Sequence, residues 1–273
     1  MNQSRVRPGF PIFTVVKYLT YSLLLSNIYF FMQEELGSLS HTFSGPLSFA
    51  EFVQVFAATI DTAAWVLVLL LFELETCVLE DEQLTTWVKR MLHGVRMLCG
   101  AAVLWAFFGY CSELITIYDT APLADWDACA RVAEQWSVLQ RLDEYLPLTE
   151  RNCEALQPPL SQIGDFSIVA EGTVLQASRY LAWADVINSA AWILVVLVLE
   201  IEVRLQLQGR LTDSIVAGTR YVKYVLYGTL FAAAIYWGFK GKFLDFWDAA
   251  LWLFAFIFIE LNVFDWQQET SAN

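Results

Sequence analysis

Charge is scarce in this chain: 16% of its 273 residues are Asp, Glu, Lys or Arg, where a soluble domain carries roughly a quarter. The basic share is smaller still, 16 Lys and Arg against 29 Asp and Glu, for a net charge of -13. That balance argues against a nucleic-acid partner, which needs clustered cations. Histidine is rarer yet. His41 and His93 are the only two, too few for a bis-His haem and a poor start for a His-based zinc or di-iron centre. Glu-x-x-His, Gly-x-Ser-x-Gly, a Walker loop and a dinucleotide fingerprint are missing as well. No enzyme activity, no cofactor and no resident metal are therefore expected. Arg5 and Arg7 precede a long apolar run without a small-residue cleavage site, unlike a cleaved signal peptide.

What is abundant is apolar. Hydrophobic residues make up 57% and aromatic residues 15%, with eleven Trp, and the mean hydropathy is +0.48. A spanning helix needs about 20 mostly apolar residues. Six stretches qualify: Phe13–Met32, Phe56–Val78, Met97–Leu114, Leu181–Val203, Tyr224–Phe239 and Phe243–Phe264. The expected fold is an all-α integral membrane protein with six spans. Lys and Arg collect before span one, between spans two and three, and between spans four and five. The positive-inside rule then places both termini in the cytoplasm of a multi-pass protein, in a bacterial inner membrane or its equivalent.

One pattern occurs three times. Asp61-Thr-Ala-Ala-Trp65 leads to Glu73-Leu-Glu75, Asn188-Ser-Ala-Ala-Trp192 to Glu200-Ile-Glu202, and Asp248-Ala-Ala-Leu-Trp252 to Glu260-Leu-Asn262. Over Ala57–Glu75 and Ala184–Glu202, ten of nineteen positions are identical. From Glu73 to Arg96 is 23 residues, as it is from Glu200 to Lys223. A polar frame kept across a loop indicates duplication rather than a shared taste for Leu. The chain reads as three tandem hairpins that enter from one side, which predicts a pseudo-threefold axis along the membrane normal. The segments are 1–48 (first helix and outer loop), 49–111 (first repeat's even helix and the next odd helix), 112–180 (cap), 181–240 (second repeat) and 241–273 (third even helix and C-terminus).

At 100° per residue, offsets of 4, 7, 11 and 14 stay on one helix face. Asp61, Trp65 and Glu75 share such a face, as do Asn188, Trp192 and Glu202, and Asp248, Trp252 and Asn262. Those acids and amides are the candidate lining of an ion or solute pathway, in two levels about 21 Å apart. A carboxylate-only site at Glu75, Glu202 and Asn262 would suit a hard divalent cation, although at a membrane boundary such groups are commonly just hydrated. Glu73, Glu200 and Glu260 lie on another face, level with Lys17, Arg96 and Lys223, and a structural ion pair within each hairpin is the plain assignment. The blander account of Trp65, Trp192 and Trp252 is core packing or interface anchoring. Asp61 and Asp248 sit inside the membrane with no Lys or Arg at their level, which commonly marks a pathway; a polar ring that holds three helices together is the structural alternative.

The connection from Glu113 to Tyr180 carries eleven acidic residues against four basic ones, an acidic extracytoplasmic cap. Leu123–Tyr145 has helical spacing, with Trp126, Ala130, Val132, Trp136 and Leu139 as its buried positions. Cys129 and Cys153 fall on the oxidising side and are expected to form a disulfide, with Cys111 as a rival partner and Cys77 and Cys99 free. Two functions suit these features. One is a channel- or transporter-like protein for a cation or small solute. The other is a non-catalytic accessory or assembly subunit of a membrane complex. Quinone or lipid handling at the Trp cluster is a third, weaker fit. The bilayer, a second copy of the chain or a complex subunit are the partners to expect.

Overall fold

The computed structural model describes residues 11–42, 47–75, 85–124 and 126–256. It is 76% helical. Four long helices are α1 (Pro11–Thr42), α4 (Thr86–Tyr118), α5 (Gly172–Leu207) and α6 (Asp213–Lys240). Between α1 and α4 come α2 (Phe49–Val55) and α3 (Ala57–Glu73), and a final helix α7 covers 243–256. At 1.5 Å per residue, the 32 to 36 residues of α1, α4 and α5 extend about 48–54 Å, well past a hydrocarbon core of about 30 Å. Three described helices (α1, α4 and α5) are long and apolar enough to cross a membrane, or four if α2 and α3 form one span bent by 77°. Their outer faces carry bare apolar side chains: Leu98 is 72% exposed, and Phe108 and Ile187 are exposed too. Such faces are consistent with a membrane protein.

The helices pack in chain order, α1 on α3, α3 on α4, α4 on α5 and α5 on α6. Helix α7 returns to α1, since Asn27 donates to Asp248 at 2.7 Å and Lys242 pairs with Glu34 at 2.7 Å. In the middle lies a dry core in which Leu24, Val66, Val195, Leu230 and Ala255 are buried, with Trp192 and Trp252 edge-to-face at 6.5 Å.

The cap corrects the all-helical expectation. It holds a five-stranded sheet, in the order β1-β4-β5-β2-β3: β1 (Thr120–Pro122), β2 (Ser137–Arg141), β3 (Glu144–Pro147), β4 (Leu160–Ile163) and β5 (Ile168–Glu171). The helix expected over Leu123–Tyr145 is instead one 3-10 turn, Cys129–Glu134, followed by β2 and the start of β3. Gln135 takes the left-handed conformation (φ 58°) and ends that turn. Beyond it, side chains alternate across a strand with period two. Leu139, Ile163, Ile168 and Ala170 face the helix ends, whereas Val138, Leu160 and Val169 face a second small core that holds Cys153. Of the positions expected to be buried there, Leu139 is buried in β2, Trp126, Val132 and Trp136 are half-buried against the second core, and Ala130 is exposed. The disulfide joins Cys129 to Cys153, and Cys99 and Cys111 are free.

Helix α4 packs on the α2–α3 bend at Gly109. A Cβ there would lie 2.8 Å from the Val53 carbonyl oxygen and 3.0 Å from the Ala57 Cβ. Gly109→Ala is expected to destabilise the protein by about 1–3 kcal/mol, as overpacking does. Gly100→Ala on the same helix meets nothing within 4 Å and should hold or raise stability through helix propensity. Thermal unfolding of both variants in detergent is the check, and equal melting temperatures would refute the close approach.

Candidate functional site, an acid-lined cavity

Beneath the sheet, the helices enclose a cavity of about 90 Å³, lined by eight acidic side chains and one lysine. Room for several water molecules exists there. Each element delivers its acids by an identifiable local device.

The α2–α3 bend is fixed at both arms. Ser48 and Glu51 form a reciprocal capping box at the start of α2. Helix α3 has no side-chain cap of its own; Glu35 of α1 supplies one across the interface. Its Oε1 accepts from the backbone N–H of Ala58 at 2.8 Å and of Thr59 at 3.2 Å, and the Thr59 hydroxyl donates to Oε2. A carboxylate is the natural partner for those orphan donors and for the positive end of the helix. The bend thereby turns Asp61, one helical turn further on, to the cavity wall.

On the opposite wall, α6 ends at Gly241, which is left-handed at φ 77°. The Lys242 N–H donates to the Trp237 carbonyl at 3.0 Å, a glycine-terminated helix end. Lys242 follows, then α7 with Asp245 and Asp248. Above, the β2–β3 hairpin pushes its two-residue tip into the bundle. Leu142 is 2% exposed in the core at the helix ends, and Asp143, left-handed at φ 63°, reaches the cavity. Arg141 clamps this tip by donating to Glu144 at 3.1 Å and to the Gly241 carbonyl at 3.2 Å.

The repeated Asp-x-x-x-Trp spacing puts each indole one turn beyond its acid on the same helix face, Trp65 after Asp61 and Trp252 after Asp248. Tyr110 borders the cavity with Asp61, and the Trp237 indole donates to Asp185 at 3.2 Å. Glu113 and Asp143 line the cavity together.

Electrostatically the lysine stands among acids. Lys242, 7% exposed, lies 2.7 Å from Glu34 and 3.8 Å from Glu144. Burial alone would lower its pKa, but Asp245, Asp143 and Glu34 outweigh burial and raise it, so it stays an ammonium. Burial raises the Asp143 pKa, with Lys242 and the Glu113 bond pulling the other way. Burial likewise raises the Tyr145 phenol, helped by Asp143 and Glu113.

Two neighbouring cavities adjoin this one. The smaller, about 50 Å³, shares Gln54, Glu113 and Asp143 with it; the larger, about 640 Å³, shares Glu34 and Asp143 and is bordered by His41, Glu144 and Tyr145. Among the described residues, no three His, Cys, Asp or Glu side chains are arranged to hold a metal ion.

Asp61, Asn188 and Asp248 thus lie on one cavity, with Trp192 beside them and Trp65 and Trp252 packed around the dry core below. Glu75 and Glu202 do not join them. They lie at the far end of the bundle, where Arg96 pairs with Glu75 and Lys223 with Glu202 at 3.0 Å. The partners differ from the hairpin assignment. Lys17 meets Glu73 at 2.6 Å as expected within the first hairpin, but Glu200 pairs with Arg204 on its own helix at 2.7 Å. The reason is local: α4 and α6 each start after a short connection from the preceding helix, so Arg96 and Lys223 face that neighbour first. Glu260 and Asn262 lie outside the described residues.

Glu34, Glu35, Glu113, Asp143, Asp185, Lys242 and Asp245 were not singled out from the sequence. For some of them the repeat contained the signal. Asp185 and Asp245 each stand three residues before Asn188 and Asp248, and Glu34 and Glu113 each stand 17 after Lys17 and Arg96. Asp143 had no such signal, because its place depends on the hairpin.

No protein-family model, curated protein or solved structure matches this chain.

Removing the ammonium tests how much this site depends on it. Lys242→Met leaves Glu34 and its neighbours without a buried counter-ion, a change that costs about 3–5 kcal/mol in comparable buried pairs. A melting temperature unchanged from wild type would refute the assignment.

Proposed function

We propose that the chain is a channel- or transporter-like membrane protein that takes a cation or a small cationic solute into the acid-lined cavity. The observation that carries this reading is the imbalance of eight acidic side chains around one lysine in a wall of hydrated size. Acids buried in a membrane bundle are costly unless they are paired or hydrated, and commonly mark an ion or solute path. Two lining residues also keep a buried acceptor atom, Asp61 Oδ1 and Asn188 Oδ1, without a hydrogen-bond partner among the described residues. Unmet acceptors beside unmatched negative charge favour a positively charged guest.

The same reading takes the chain as six spans in three hairpins about a pseudo-threefold axis. Helix α6, with 28 residues, is about 42 Å long and sufficient to cross, and α7 provides the sixth. Corresponding positions supply the cavity from each odd helix: Phe31, Tyr110 and Trp237 each stand 14 residues beyond Lys17, Arg96 or Lys223. Basic residues in the connections far from the sheet, and a disulfide within the cap, support a cytoplasmic far end and an extracytoplasmic sheet. The wide cavity of about 640 Å³ is then the outer vestibule, and the dry layer around Val195 and Ala255 is the closed gate.

Reconstitution into liposomes tests the function. Wild-type protein should carry cations, and Asp61→Asn or Asp248→Asn should lower the flux at least tenfold while the protein still folds. Flux absent from wild type, or unaltered in both variants, would end the reading.

A further inference from the structure

We propose that the guest is a small protonated amine, bound through its N–H groups, rather than a bare metal ion. The inference rests on the cation reading above and narrows it.

The cavity already holds a group of this chemistry. The Lys242 side chain is a primary ammonium on a methylene stem, and Glu34 receives it at 2.7 Å in a buried setting. The wall around Asp61, Asn188 and Asp248 offers carboxylates as well, with an amide oxygen and aromatic rings beside them. What that wall leaves unmet is two acceptors. Asp61 Oδ1 and Asn188 Oδ1 accept no hydrogen bond among the described residues. Beside them Asn27, 1% exposed, gives its amide hydrogen to Asp248 and keeps Oδ1 without a partner. Buried acceptors are rarely left so. The N–H groups of one cation can answer the two acceptors on the wall, Asp61 Oδ1 and Asn188 Oδ1.

A metal ion is a poorer match to the same wall. A hard cation needs about six oxygens converging at one point, and no described trio of acids converges in that way. The carboxylates are instead spread around the space, with Asp248 held by Asn27 and Asp185 by the Trp237 indole. Aromatic side chains complete the lining, among them Phe31, Tyr110 and Trp192. Ring faces attract an organic ammonium and also cover its carbon atoms. Space for several waters accommodates an amine of a few heavy atoms, and the wide neighbouring cavity, which shares Glu34 and Asp143, provides the approach.

The test uses the full chain in detergent, titrated with methylammonium chloride and, at equal ionic strength, with tetramethylammonium, sodium, potassium and calcium chlorides. Tryptophan fluorescence reports the site, because Trp192 and Trp237 line it, and the melting temperature reports occupancy. Methylammonium should bind saturably and at least tenfold more tightly than sodium, potassium or tetramethylammonium, the last having no N–H. Asp61→Asn should weaken it at least tenfold. Lys242→Ala, which empties the ammonium position, should melt lower than wild type and recover with methylammonium but not with sodium. Saturable binding of a metal ion with indifference to methylammonium would overturn the amine assignment and leave the cation reading standing. Indifference to every cation, together with absent flux, would overturn both. Loss of folding in Asp61→Asn leaves the rescue of Lys242→Ala to decide, and failure of that rescue counts against the proposal.

Discussion

Burying carboxyl groups side by side is the constraint on which this architecture turns. Two unit charges 4 Å apart repel by about 4 kcal/mol at an effective dielectric of 20, and desolvation adds to that. Eight acids around about 90 Å³, with Lys242 as the one cationic lining residue, are tolerable only if each has a donor, a shared proton or water. The fold meets that demand with varied means. The Trp237 indole serves Asp185, the Asn27 amide serves Asp248, the α3 N-terminus serves Glu35, and Lys242 serves Glu34. These means run out at Asp61 Oδ1 and Asn188 Oδ1, which have no partner among the described residues.

The two ends of the bundle solve the same problem in opposite ways. At the far end, Lys17, Arg96 and Lys223 each pair with a glutamate. At the sheet end the acids outnumber the cations, and the balance must come from protons, solvent or solute. Between them lies the tryptophan and aliphatic layer, with Val195 and Ala255 wholly buried.

The sheet belongs to that design rather than sitting apart from it. Its inner face shares a core with α4, α5 and α6 through Leu139, Ile163 and Ile168, and its outer face has a core of its own around the Cys129–Cys153 bond. Rigid on both faces, it can hold a hairpin tip in place. Leu142 anchors that tip, and Asp143 accepts a left-handed backbone, a conformation that costs about 1 kcal/mol or more for a residue with a Cβ. Strain of this kind, placed beside buried charge, is characteristic of functional surfaces.

Much of this was legible in the chain itself. Long apolar runs dictate helices, because a backbone in lipid must satisfy its own hydrogen bonds. The recurrence of Asp61, Asn188 and Asp248 four residues before a tryptophan marked one wall of the cavity, since a helix returns to the same face after four residues. The pairing of Cys129 with Cys153 followed from their shared loop. The sheet was not legible, because strands buried on both faces lose the alternation that distinguishes them. Nor were the true partners of Arg96 and Lys223, which depend on which helix lies nearest rather than on spacing. Asp143 and Lys242 reach the cavity only once a hairpin and a glycine-ended helix have folded over it. Local periodicity is written residue by residue, and so the sequence alone determined the helices and their polar faces. Which acids meet, and how many share one cation, is a property of distances between segments far apart in the chain, and only the tertiary structure decided it.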